Sequence, residues 1–427
     1  MKGASGRAKA LPASAAPWRF RWLLAAPHRL AFFAAAVVLA GSAVWWAAVV
    51  VLQAQGQGLT WAVPAAAAHG LLMGYGFLPL FFAGFLFTAG PKWLGQPPVE
   101  AGTMLRPVLG CLAGWVVFLA GVHLDGQLAA LGTALATAGF AMMTARFVRM
   151  LRDSAAQDTR HAELLAVGCV AGLGVQGLAT LGLAAGDLLL VRAAVHGGLW
   201  SSAALVFVTA IHRMVPFFTA AAMPRLDAWR PMWLLWVLCV AVAVQGPLTM
   251  AEGLWGALPA WARMARLGVE VPVALLLLRL AVRWGQVQNL GMRLIAMLHL
   301  GFVWLGLAFA LNALSHALVA AGGEGWSLGL APTHALTIGF FGSTFLVMVT
   351  RVSCAHGGRA LVADDLVWRL FWLLQLAAAA RVGAALWPAS ATGLMVVAAL
   401  AWAACMAAWS LRHVRWYGRP RPDGRPG

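Results

Sequence analysis

An apolar run of about twenty residues, recurring twelve times along 427 residues, leaves few folds open to this chain. The runs fall near residues 30–52, 66–89, 106–123, 127–148, 163–185, 193–214, 231–251, 267–283, 293–320, 331–350, 366–386 and 391–411. In hydrocarbon every backbone N–H and C=O needs an internal partner, so runs of this length fold as helices packed in one bundle. The residue content agrees: 62% is hydrophobic and 10% charged, against roughly 25% charged in soluble domains. We expect an all-α membrane protein made of a single bundle of about 12 transmembrane helices. Residues 1–29 form a basic arm expected to be disordered, 30–411 the membrane domain and 412–427 a basic tail. The eighth run is short and carries Pro272, which makes it the weakest of the set.

Loop charges set the orientation. With both termini in the cytoplasm, 26 of the 30 Lys and Arg residues fall on the inner side, leaving Arg192, Arg263, Arg266 and Arg381 outside. An odd number of spans would destroy this alternation. The net charge of +17 is spread over short loops, not gathered with aromatics in one segment. It therefore fits lipid headgroups as partners and excludes nucleic acid. Cys111, Cys169, Cys239, Cys354 and Cys405 are too widely spaced for a disulfide framework or a CxxC metal site and read as buried packing residues.

Histidines carry the remaining chemistry. The stretch from Ala331 to Arg359 joins a membrane-length apolar run to His334 at one end and His356 at the other. At ~1.5 Å per residue the two lie ~33 Å apart and cannot share a metal. By depth, His69, His123, His196, His316 and His334 belong to the outer level. His299 lies one to two turns in from the cytoplasmic side, and His212 and His356 mark cytoplasmic ends. His28, His161 and His413 sit in basic flanks and require no special role. Ionisable groups within spans are functional candidates by default. Imidazole suits haem iron and copper, in sites assembled from facing helices. His69 and His334 lie at equal depth near the starts of two inward-running spans, as two axial ligands of one porphyrin must. Among the acids, Glu270 is the most embedded, and Arg263 or Arg266 is its expected partner. None lies in the inner half of a span, which weighs against a proton pump.

At these residues the chain resembles the NnrS family. HALTIGFFGSTFLVMVTRVSCAHGGR, from His334 to Arg359, is similar to the family's signature of HALT, a Gly-rich helix, an MTR triplet and a GHTGR-like end. LHLGFVWL, carrying His299, resembles LHLGYxWL. RMVPFFT, from Arg213 to Thr219, resembles the arginine-led IPFFT segment, and GFLFTAGPKWLG, from Gly84 to Gly95, resembles GFLLTAVPNWTG. PHRLAFF, from Pro27 to Phe33, is a looser match to PFRPFF. Where the family reads HAHEM, this chain has AAHGL from Ala67 to Leu71, lacking the first histidine and the glutamate. The resemblance implies a multi-pass protein of the bacterial inner membrane that holds haem, of b type, and copper and helps cells withstand nitric oxide during denitrification and nitrosative stress. By position, His69, His299, His334 and His356 match family histidines.

Three functions follow. The first is a haem-binding protein of nitric oxide defence, with His69 and His334 as axial ligands and nitric oxide as a ligand. The second is a nitric oxide reductase-like enzyme, for which His196, His299, His316 and His356 are candidates for a second metal; the run from Pro231 to Ala251 lacks the histidine cluster of a haem-copper oxidase. The third is a solute transporter with structural histidines. It would carry broken helices and internal repeats, and the two halves of the chain show no repeat.

Overall fold

The computed structural model describes residues 17–220 and 231–423. Among these, eleven helices are long and apolar enough to cross a membrane: α1 Pro27–Ala54, α2 Ala65–Trp93, α3 Ala101–Leu124, α4 Gly126–Arg152, α5 Arg160–Ala185, α6 Leu188–Arg213, α7 Met232–Trp255, α9 Arg293–Gly322, α10 Ala331–His356, α11 Asp365–Leu386 and α12 Pro388–Tyr417. The remaining long helix, α8, runs from Ala260 to Val287. It has the length of a span but carries five charged side chains, Arg263, Arg266, Glu270, Arg279 and Arg283. The chain is thus an all-helical, multi-pass membrane protein. Helix starts follow local chemistry: Asp125, Asp187 and Asp364 accept the backbone N–H of Leu128, Leu190 and Val367 and cap α4, α6 and α11. Pro64 and Pro332 mark the starts of α2 and α10.

The twelve helices arrange as three four-helix units, α1–α4, α5–α8 and α9–α12. The joints between units match: α4 packs on α5, α8 on α9, and α12 closes the ring against α1. In the same cyclic order α5 touches α2, α9 touches α6 and α1 touches α10. The second helix of each unit lies at the centre. The most apolar stretches of α2, α6 and α10 are 83%, 89% and 78% buried, against 39–56% for the other spans. Phenylalanines fill the space between these three: Phe82 meets Phe207, Phe207 stacks on Phe341 at 4.7 Å, and Phe81 meets Phe345 at 4.6 Å. Small residues allow backbone approach elsewhere. A Cβ on Gly132 of α4 would lie 2.3 Å from the backbone nitrogen of Phe118 in α3, so that pair closes only around glycine.

Several expectations change. Residues 2, 7, 9, 225, 230 and 425, whose charges entered the topology reading, lie outside the described residues, as do 1–16 of the arm. From Trp18 onward the arm is part of the fold: Phe20–Ala25 is a 3-10 helix, Leu23 is fully buried, and buried Arg29 donates to the carbonyl of Arg419 at 2.8 Å. In place of a tail from residue 412, α12 continues to Tyr417. His28, His161 and His413, read from the sequence as lying in basic flanks, are all buried. The cause is common to these three: α1, α5 and α12 extend past their apolar runs, so the flanking turn packs against neighbours. Pro272 does not interrupt α8, which is continuous through it. The five cysteines are buried and unbridged, as expected.

Candidate functional site

All three central helices change winding at the same level. After His69 in α2, the chain is π-helical over Leu72–Gly76. After His196 in α6 it is π-helical over Leu199–Ala204, and after His334 in α10 over Ala335–Gly342. A π-turn widens the helix by one residue, redirects the side chains ahead of it and often marks a functional site. The altered winding is tied down by side chains. The Tyr75 hydroxyl in α2 donates to the Ala194 carbonyl of α6 at 3.1 Å, and Gly198 leaves the space the tyrosine ring occupies. In α10, Trp304 lies against Gly339 and its indole N–H donates to Gln375 at 2.7 Å, which in turn donates to Ser343.

The three histidines ahead of these turns share one end of the bundle, here termed the His69 face. Gly70 and Val195, the neighbours of His69 and His196, meet where α2 touches α6. His69, His196 and Arg381 of α11 all lie within electrostatic reach of His334, and Arg381 within reach of His69. The ring of His69 stacks on Trp46 of α1 at 3.9 Å. Its Nδ1 is buried without a hydrogen-bond partner. His334 is buried, and its Nδ1 lies 2.9 Å from the Leu330 carbonyl. A carbonyl only accepts, so Nδ1 carries the proton and Nε2 presents its lone pair, which is how ligating histidines are commonly held. No carboxylate among the described residues joins this group.

Other candidates go elsewhere. His316 pairs with Glu270 at 2.8 Å inside a closed network of α7, α8 and α9. There Arg266, not Arg263, is the partner of Glu270, at 3.1 Å; it also pairs with Glu252 and donates to Gln245 and Thr249, while Asn312 donates to Glu270. His123 donates from Nδ1 to the Thr60 carbonyl and accepts from the indole of Trp45. His299 packs towards α8, where a Cβ on Gly285 would lie 3.3 Å from its Nε2. At the opposite end, His356 stands 5.0 Å from His28, ring to ring. His161 and His212 share a 3.1 Å hydrogen bond, and His413 stacks on Trp409. The structure therefore brings together His69, His196 and His334 and separates them from His299, His316 and His356. Sequence reading assigned no role to Arg381, although it was one of only four cations against the loop-charge rule. Trp46 gave no signal of its own among 22 tryptophans.

The donor set is one imidazole per helix. Among the described residues no three His, Cys, Asp or Glu side chains converge as a metal site. Imidazoles contributed one per helix, without three converging protein ligands, fit a metal that brings its own equatorial ligands, as iron does in a porphyrin. The family model described as NnrS protein matches residues 22–421. No curated protein matches the chain.

Proposed function

Since the chain belongs to the NnrS family, we propose that it is a haem-binding protein of the bacterial inner membrane that acts in nitric oxide defence, with copper as a second metal. Haem b is held between His69 and His334 at the His69 face. The observation that supports this most is the state of His334, whose Nδ1–H is fixed on Leu330 so that Nε2 is aimed as a ligand beside the unpartnered imidazole of His69. Bound haem supplies an iron for nitric oxide coordination and electron exchange. The protein's own part is to fix both imidazoles, to stack Trp46 on one of them, and to seal the far side with the phenylalanines of α2, α6 and α10. That packed seam supports a one-sided site over a solute path through the bundle. On the loop-charge reading the His69 face is periplasmic and both termini cytoplasmic.

Spectra of the purified full-length protein test the haem: pyridine haemochrome and reduced-minus-oxidised difference spectra should show about one haem b per chain, and metal analysis reports copper. A colourless, iron-free preparation from haem-replete cells removes the proposal. A reporter inserted at Asp158 should be cytoplasmic and one at Gly323 periplasmic; the reverse result moves the site to the cytoplasmic side. Deleting the gene should slow growth under a nitric oxide donor and leave aerobic growth unchanged, and equal growth with the parent strain would remove the physiological role.

A further inference from the structure

Each unit carries a polar residue near the end of its third helix on the His69 face: His123 in α3, Glu252 in α7 and Arg381 in α11. The first two are satisfied internally, His123 by Thr60 and Trp45 and Glu252 by Arg266. Arg381 is half-buried and has no hydrogen bond or ion pair to any described residue. Its own helix offers nothing, because the positions one turn away on the same face are Ala377, Ala378, Ala384 and Ala385. Nor do the acids of that face whose side chains are described. Asp125 and Asp187 cap helices, and Glu252 and Glu270 are held by Arg266. Arg381 nevertheless lies on the helix that packs against the first turn of α10, which carries His334, and is within electrostatic reach of His334 and His69.

A guanidinium held in a span without a counter-charge costs stability unless something outside the fold neutralises it. Here that something must come to within reach of the two candidate ligands and must be anionic. From this we propose that Arg381 recognises a carboxylate of the cofactor, so that the site selects a tetrapyrrole carrying free propionates. This rests on the haem reading above and adds the residue that sets its orientation and selectivity. A guanidinium forks onto a carboxylate through two parallel N–H donors, which an ammonium cannot reproduce. An edge-bound propionate at Arg381 would thus fix which edge of the macrocycle faces α11.

The full-length protein prepared free of haem, titrated with haem b and with haem b whose two propionates are esterified, tests the assignment. Wild type should bind haem b at least about tenfold tighter than the diester, the factor one hydrogen bond to a charged group supplies. In Arg381→Gln the preference should vanish through weaker haem binding, with diester affinity unchanged; Arg381→Lys should keep part of it. Equal affinity of wild type for the two compounds overturns the proposal and leaves haem binding standing, and this comparison needs no variant to fold. Undiminished preference in Arg381→Gln also overturns it. Binding of neither compound by wild type overturns the haem reading itself. A phospholipid headgroup is the other source of anionic oxygen: loss of co-purified anionic lipid in Arg381→Gln, with the haem preference intact, makes Arg381 a lipid anchor instead.

Discussion

Two polar clusters lie at the His69 end of the bundle, and they are built in opposite ways. Around Glu270, every charge is answered from within. Arg266 pairs with Glu270 and Glu252 and donates to Gln245 and Thr249, while Asn312 and His316 bond to Glu270; the one loose end is the Gln245 amide nitrogen, which has no partner among the described residues. Around His334 no described acid enters, His69 has a buried nitrogen with no partner among the described residues, and Arg381 pairs with none of them. A closed network in a low-dielectric interior fixes structure, because removing one member strands the others. An open group at the same depth is a cost that folding alone does not offset, which is the ground for the ligand proposed there. Of the five charges on α8, Arg266 and Glu270 are turned inward onto α7 and α9, while Arg279 and Arg283 are exposed.

The largest expected effect breaks the open cluster. His334→Ala and His69→Ala should each lower bound haem more than about tenfold, while His356→Ala, at the opposite end, should keep it; full haem content in both variants would transfer the site elsewhere. Next, Glu270→Ala breaks the closed one. This removes one of the two carboxylates that hold buried Arg266 and strands Asn312 and His316, which should cost about 1–3 kcal/mol, read as a fall in Tm in detergent, with haem per folded chain unchanged. If haem were lost while Tm held, the two clusters would be one site. A smaller effect is expected from a pair outside the spans. Asp364 caps α11 and binds Arg412, which holds its carboxyl below the usual carboxylate range, so Asp364→Ala should cost about 1 kcal/mol. Because that pKa is depressed on folding, its contribution is present above the unfolded value of about 3.9 and is lost as pH falls below it. A pH titration of Tm in wild type and Asp364→Ala checks the sign: the two curves should converge in acid. Smallest is Asp158, held at about 2 by its hydrogen bonds to Arg160 in an exposed loop. Asp158→Asn should leave Tm unchanged near neutral pH, since exposed pairs add little; a clear drop would show that loop charges matter beyond topology.

Depth was legible in the sequence, and azimuth was not. The twelve runs located the helices, and the helical rise put His69, His196, His316 and His334 at one level. Which of them face one another depends on rotation about each helix axis, which a uniformly apolar span scarcely encodes. So His316 looked equivalent to His196 although it turns to Glu270, and Glu270's partner was narrowed to two arginines but not chosen. Helix ends were read short because hydropathy falls before backbone hydrogen bonding does. That error left His28, His161 and His413 in basic flanks with no role. The repeat was missed for a different reason. It divides the chain by three, so comparing halves aligned unlike helices, although a histidine opens every fourth span from the second. Arg381 was visible only as an exception to a charge rule, and its neighbours come from helices far away in sequence.

Closing the ring through α12 and α1 has a consequence for how the protein is made. The first span to enter the membrane borders the last of the twelve, and Arg29 stays without its acceptor until a residue 390 positions later is in place. During synthesis α1 therefore carries a guanidinium whose final acceptor is missing until α12 arrives. Chains arrested after α11 should be cleared by membrane proteases, and Arg29→Leu should lengthen their lifetime in a pulse-chase experiment. Equal lifetimes for the two arrested chains would show that ring closure imposes no order on assembly. Loading of the proposed haem would inherit the same schedule, because α10 and α11, which carry His334 and Arg381, emerge only after α2 and its His69 have long been inserted.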